Sequence, residues 1–180
     1  KRSKSSVTFF DPIAPSIPTM MGLKGQKPKT VVIDGQQKIV PLEAHGVSLI
    51  SIGFIINPEQ AVVLRGPRLS GVMKQFINDC HWPELDYLII DLPPGTGDIQ
   101  LTMVQTIAVT GALIVTTPPQ VAIDDALRAA NMFRLDNIQV PLLGIVENMS
   151  WFTPAEMPDK KYYLFGEGGG QLLSELLNVP

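Results

Sequence analysis

The chain reads Tyr87-Leu-Ile-Ile90 and continues directly into Asp91-Leu-Pro-Pro-Gly-Thr-Gly-Asp98, so a short apolar run meets a loop of proline and glycine. A brief, fully apolar run bounded by turn residues is typical of a strand buried in a parallel sheet. Ligands bind such sheets at the carboxyl ends of the strands. Asp91 therefore stands where a nucleotide hydrolase needs a carboxylate, which holds Mg²⁺ through water.

Helices and apolar strands alternate on both sides of this stretch. Upstream, residues 47–56 are rich in β-forming side chains, and residues 69–78 carry apolar side chains at helical spacing. Before them, Asp34-Gly35 predicts a hairpin between residues 30–33 and 36–40, because Asp-Gly supplies the positive φ angles of a tight turn. Downstream, the predicted order is helix 99–109, strand 112–115, helix 121–133, strand 140–146 and helix 171–177. The alternation predicts an α/β protein whose mostly parallel sheet is covered by helices on both faces, and hence three layers.

Length and composition limit the class of protein. The 180 residues, of which 45% are hydrophobic, fit one domain with a sizeable core. The net charge of -3 is spread along the chain, which argues against a nucleic-acid partner. No apolar run approaches the roughly 18 residues of a membrane span, so we expect no membrane partner either. The single cysteine, Cys80, cannot form an internal disulfide, which favours the reducing cytoplasm.

Two glycines in the loop after Asp91 suit binding to a phosphate group. Gly95 and Gly97 let a ligand approach the backbone closely, because glycine has no Cβ. Asp98 has two readings: it belongs to the functional loop, or it only caps the helix that follows.

Seven motifs together resemble the Mrp family, whose members are deviant P-loop ATPases related to MinD and are regarded as iron-sulfur cluster carriers. They occur in the family's order between Asp11 and the C-terminus. The motifs are Pro15-Ser-Ile-Pro-Thr-Met20, Ser51-Ile-Gly-Phe54, Arg65-Gly-Pro67, Asp91 to Asp98, Val115-Thr-Thr-Pro118, Gly144-Ile-Val-Glu-Asn-Met-Ser150 and Phe165-Gly-Glu-Gly-Gly-Gly170. The resemblance implies a three-layer P-loop NTPase fold of the MinD or SIMIBI type. It also implies a homodimer that closes around ATP and Mg²⁺, hydrolyses ATP slowly as a switch, and serves an iron-sulfur apoprotein or scaffold protein.

The resemblance assigns roles to individual residues. Asn148 corresponds to the adenine reader, since its amide can both donate and accept hydrogen bonds, although a loop-capping asparagine is the alternative. Asp11 corresponds to the switch I acid that positions Mg²⁺ or the attacking water; here Ala14 replaces the family's glycine. The other implied positions are Asp91 as the Walker B acid, Gly95, Thr96 and Gly97 as the switch II backbone, Lys4 as the phosphate lysine and Ser5 as the Mg²⁺ hydroxyl.

Two departures concern the phosphate-binding segment. No glycines precede Lys4, although several must converge on a phosphate in a P-loop, so a frayed basic terminus is the alternative reading of residues 1–8. Only two residues separate Thr8 from Asp11, whereas a crossover connection takes at least about a dozen. We therefore expect residues 1–180 to be a single P-loop ATPase domain that is incomplete at both ends.

The segment that corresponds to the family's metal-binding motif also departs from the family's pattern. Many relatives of this type carry a Cys-x-x-Cys pair shortly after Asn-Met-Ser, but here Trp151-Phe-Thr-Pro-Ala-Glu-Met-Pro-Asp159 follows, without cysteine. An iron-sulfur cluster is thus implied by resemblance only. Cys80 is either a substitute ligand or, as is commoner for a lone cysteine, a small buried hydrophobe.

Other assignments stay open on sequence alone. One alternative function is a MinD-like or ParA-like positioning ATPase, and another is a non-catalytic scaffold with a degenerate nucleotide site. Trp151 and Phe152 form either an exposed platform or, more commonly for such residues, part of a core. The glycines of residues 166–170 predict a flexible start to the last helix.

Overall fold

The structure is a computed structural model, which describes residues 7–11, 16–54, 66–92 and 95–180; the side chains of residues 7–11, 66–70, 72–73 and 98–99 are outside this description. Two compact units divide the chain, one up to residue 94 and one from Gly95 onward.

The first unit is built on a four-stranded sheet. Its strand order is β4-β5-β1-β6, with β5, β1 and β6 parallel and β4 antiparallel at the edge. The unit's elements are β1 (Val7–Asp11), α1 (Ile17–Met20), β2 (Lys29–Ile33), β3 (Gln36–Val40), β4 (Leu42–Ala44), β5 (Val47–Ser51), α2 (Gly66–Asp79) and β6 (Tyr87–Ile90), with a 3₁₀ turn at Ile52–Phe54. A small core in this unit consists of the buried side chains of Leu23, Leu49 and Phe54. Ile17 of α1 packs against it.

The predicted hairpin forms, and it is anchored to a helix. Strands β2 and β3 pair antiparallel, and the turn residues Asp34 and Gly35 have φ angles of 51° and 75°. Lys38 Nζ donates a hydrogen bond to the carbonyl of Asn78 at the end of α2, over 2.8 Å. The second strand of the hairpin, β3, is therefore bound to α2.

The second unit contains a pair of parallel strands with two helices packed against it. Its elements are α3 (Asp98–Thr106), β7 (Ala112–Thr116), α4 (Gln120–Phe133), β8 (Leu142–Glu147) and α5 (Gly169–Leu177). Helix α4 contacts β7, α5 contacts β8, and the helices contact each other, so both cover one face of the strand pair. Ala112 and Ile114 point to that covered face and are buried, whereas Leu113 and Val115 alternate with them and are exposed.

Three local predictions need correction. Residues 87–90 form a strand but not a buried one: β6 lies at the edge of the described sheet with β1 as its only neighbour there, and Tyr87, Leu88 and Ile89 are exposed. Asp98 is the first residue of α3 and Gly97 occupies the N-cap position, so Asp98 is not the cap. The predicted strand 140–146 instead begins at Leu142, because Pro141 has no N–H to give to a ladder.

Candidate functional site

Two predicted acids occupy neighbouring strand ends in the first unit. Asp11 is the last residue of β1, and Asp91 directly follows β6. The parallel register pairs Phe10 with Ile90, so the next step along both strands brings Asp11 level with Asp91. Asp91 is exposed. The sheet thus presents two carboxylate-bearing positions side by side at its carboxyl edge, where α/β sheets bind ligands.

Ser51 completes this edge, and sequence reasoning missed it. Ser51 ends β5 and pairs with Asp11 on the other side of β1. Its side chain is fully buried, and its Oγ accepts a hydrogen bond from the N–H of Gly53 over 3.1 Å. Ser51 begins the motif Ser51-Ile-Gly-Phe54, which was the available signal, but no site role was assigned to it from sequence.

The glycine loop of the second unit wraps a buried glutamine. Gly95 has a φ of 97°, which explains why glycine stands there. A Cβ on Gly95 would lie 3.7 Å from Gln100 Nε2, and one on Gly97 would lie 3.4 Å from Gln100 Oε1. Both are ordinary contacts, so the amide of Gln100 lies close to the backbone of Gly95 and Gly97. Sequence analysis did not single out Gln100, which lies in the first turn of α3 and is buried.

Asn148 lies at the carboxyl end of β8 with a defined amide orientation. Its backbone N–H donates to the Thr116 carbonyl over 2.8 Å, which extends the ladder with β7. Its Oδ1 accepts a hydrogen bond from the N–H of Met149 over 2.9 Å, and Met149 has a positive φ of 54°. Because only oxygen accepts from an N–H, the amide orientation is fixed. Among the described residues none accepts a hydrogen bond from Nδ2, which leaves two donors for a ligand.

The first two residues of α5, Gly169 and Gly170, are closely packed, whereas Gly166 and Gly168 before them are exposed. The flexibility expected for residues 166–170 stays a prediction. Gly169 and Gly170 are buried. A Cβ on Gly169 would collide with the carbonyl of Pro118, and one on Gly170 would lie 2.7 Å from the Cβ of Glu147. Gly168 has a φ of 80°, which glycine adopts without strain.

Cys80 is an inert thiol in this fold. It is buried, and burial raises its pKa to about 12. A thiolate is the form that binds metal, so the prediction of a small buried hydrophobe fits better than the ligand reading. Among the described residues, no group of three or more His, Cys, Asp or Glu side chains could hold a metal ion.

Trp151 and Phe152 are exposed, at 51% and 54% of their surface, so the expectation of core packing is wrong. Phe152 and Tyr162 exchange backbone hydrogen bonds of 2.8 and 2.9 Å. Lys161 Nζ lies 3.8 Å from the centre of the Trp151 ring, within cation–π range. The segment is thus a small, ordered aromatic hairpin.

The remaining predicted positions, Lys4 and Ser5, lie outside the described residues, as does the side chain of Asp11. In the described part of the chain, no helix combines the length and apolar character needed to cross a membrane.

Solved structures share the fold of this chain. A nucleotide-binding protein from Archaeoglobus fulgidus, in complex with ADP, matches with a TM-score of 0.74 and 32% identity over 98% of this chain and 67% of that one. A ParA family ATPase from Chlorobium tepidum matches with a TM-score of 0.53 at 16% identity, which supports the fold alone. The α/β P-loop NTPase fold with parallel strands is therefore confirmed.

The particular family follows from sequence. A model of the ParA family, described as NUBPL iron-transfer P-loop NTPase, matches residues 2–180, and the chain belongs to that family. Curated relatives named iron-sulfur cluster carrier protein are 47% identical in Synechocystis sp. over 94% of this chain, and 49% identical in Deinococcus radiodurans over 88%. The resemblance to Mrp-type carriers is thus confirmed. The chain spans about half the length of these relatives, 48% and 44%.

Proposed function

We propose that this chain is the nucleotide-binding part of an iron-sulfur cluster carrier that binds Mg-ATP and hydrolyses it slowly as a conformational switch. The observation that carries the proposal is the pair of acids at one sheet edge, Asp11 and Asp91, on neighbouring parallel strands. Family membership and the ADP-bound structural relative support it.

The residues present suit Mg²⁺. This ion prefers oxygen ligands and is usually bound by one or two carboxylates together with substrate phosphates and water. Asp91 would hold it through water and Asp11 would orient it or the attacking water, while Ser5 and Lys4 would meet the metal and the phosphates. Bound Mg²⁺ supplies charge neutralisation at the transferring phosphate.

The other parts of the proposal concern the base and the switch. Asn148 reads adenine with its Nδ2 donors, while Gly95 to Gly97 contact the γ-phosphate and change conformation after hydrolysis. The functional form is a homodimer. The whole chain forms one P-loop domain, and its place is the cytoplasm, where a lone thiol such as Cys80 stays reduced.

The cluster is cargo in this proposal, and its ligands come from elsewhere. The aromatic hairpin after Asn148 has no thiolate, and Cys80 is buried and protonated. We therefore assign cluster ligation to cysteines of an apoprotein or scaffold partner, which the switch loop engages in an ATP-dependent way.

The test compares two isosteric charge removals, Asp91→Asn and Glu84→Gln. Glu84 is exposed and precedes β6 at its amino end, away from the carboxyl edge. Removing an electrostatic stabiliser of the transition state costs about 100-fold or more in rate, so Asp91→Asn should lose hydrolysis by that factor and retain most Mg-ATP affinity. Glu84→Gln should match the wild type in both.

Isothermal titration and single-turnover hydrolysis measure the two quantities. A wild-type chain that binds no Mg-ATP would refute the proposal and favour the non-catalytic scaffold. If the wild type and Asp91→Asn both bind Mg-ATP with the same affinity and neither hydrolyses it, the proposed nucleotide site would stand and the proposed ATPase activity would be refuted.

A further inference from the structure

Glu147 links the end of β8 to the start of α5. It is the last residue of the strand and is half-buried. Its Oε2 accepts a hydrogen bond from the backbone N–H of Gly170, which lies in the first turn of α5. That N–H has no partner within the helix, and the partial positive charge at a helix N-terminus favours a carboxylate.

The contact is held in place by close packing. A Cβ on Gly170 would lie 2.7 Å from the Cβ of Glu147 and 3.1 Å from its Oε2. Gly169 packs equally closely on the carbonyl of Pro118, two residues beyond β7. The first turn of α5 is thus seated on the segments that follow both strands.

The main chain of Glu147 holds the turn that carries Asn148. Its carbonyl accepts a hydrogen bond from Ser150 Oγ over 2.8 Å, which closes residues 147–150. Within this turn, Asn148 Oδ1 accepts from the N–H of Met149. One residue therefore anchors the turn at its start and, through its side chain, ties it to α5.

We infer that Glu147 is a positioning residue for base recognition: its carboxylate locks the Asn148 turn to α5, so that Asn148 presents its Nδ2 donors in one orientation. This inference rests on the proposed function, in which Asn148 contacts adenine. The competing explanation is that Glu147 only stabilises the start of α5.

A cavity of about 360 Å³ beside the contact makes the test feasible. Glu147, Gln171 and Ser174 line it together with residues of β8 and α5. Water in this space can satisfy the N–H of Gly170 when the carboxylate is removed, so we expect Glu147→Ala to fold. Glu147→Gln is the matched variant, because its side-chain carbonyl can still accept from that N–H.

The experiment measures Mg-ATP and Mg-GTP affinity for the wild type, Glu147→Ala, Glu147→Gln, Asn148→Ala and the double variant Glu147→Ala/Asn148→Ala. We expect Glu147→Ala to weaken ATP about tenfold and GTP much less, and Glu147→Gln to restore most of the loss. In the Asn148→Ala background, Glu147→Ala should cause no further loss of ATP affinity, because its effect passes through Asn148.

Four results would overturn the inference. Equal losses for ATP and GTP, or a loss that persists in the Asn148→Ala background, would make Glu147 a structural residue only. A change of base preference in Asn148→Ala without one in Glu147→Ala would refute this inference and leave the proposed function intact. A wild type without ATP affinity would refute both.

Amide hydrogen exchange tests the contact without nucleotide. Glu147→Ala should speed exchange at Gly170, and Glu147→Gln should not. Unchanged protection of Gly170 in Glu147→Ala would show that the carboxylate does not hold α5, which also overturns the inference.

Discussion

In the proposed function, Asn148 combines two tasks in one side chain, and each task uses a different atom. Oδ1 holds the backbone of Met149, while Nδ2 supplies the donors assigned to adenine. Asn148→Asp keeps an oxygen for Met149 and removes the donors, whereas Asn148→Ala removes both.

This difference separates base reading from loop capping. A buried polar group left unpaired costs about 1 to 3 kcal/mol, so both variants should weaken ATP by about tenfold relative to GTP. Competition binding with the two nucleotides measures the ratio. If Asn148→Asp binds ATP as the wild type does, Asn148 only caps the loop.

The glycines at the start of α5 behave as one packed element, and a matched pair of substitutions tests this. Gly169→Ala introduces a Cβ against the carbonyl of Pro118 and should lower the free energy of unfolding by about 1 to 3 kcal/mol. Gly71→Ala lies inside α2, where a Cβ meets no described atom within 4 Å, and should raise it by about 0.5 to 1 kcal/mol.

Denaturant unfolding, monitored by circular dichroism, gives both values. A Gly169→Ala protein as stable as the wild type would mean that the carbonyl of Pro118 moves aside at little cost, and that the glycines are not required for packing.

At the element scale, periodicity predicted most of the helices and strands downstream of residue 46, because each amphipathic face repeats within a few residues. The short elements β1, α1 and β4 were not predicted. The position of Asp91 directly after an apolar strand follows from sequence, whereas strand β1, which ends at Asp11, and its pairing with β6 were not predicted. The contact of Glu147 with Gly170 could not be predicted, because 23 residues separate the two. The exposure of Trp151 was missed for a related reason: hydrophobicity alone does not distinguish a core from a surface hairpin.

For the whole molecule, the decisive question is where the cluster is held. We expect the protein purified in air to lack visible absorbance, and a cluster reconstituted anaerobically to be substoichiometric and easily removed by chelators, because ligation by this chain is incomplete. Iron and sulfide analysis before and after chelation measures this.

Cys80→Ala is the control for that experiment. It should not change the iron content, since the thiol is buried with a pKa of about 12. A tightly held cluster at one per dimer would contradict the assignment of ligands to a partner, and its loss in Cys80→Ala would identify Cys80 as a ligand.

The two tryptophans lie in different units and in different surroundings. Trp82 is half-buried in the first unit and donates from Nε1 to the carbonyl of Ile77 over 3.1 Å. Trp151 is exposed in the second unit, three residues beyond Asn148 and beneath the ammonium group of Lys161. A Trp82→Phe protein therefore has a single indole emitter beside the assigned base-reading residue. Its fluorescence gives a label-free optical signal for events at that loop, while the reciprocal Trp151→Phe protein reports on the other unit.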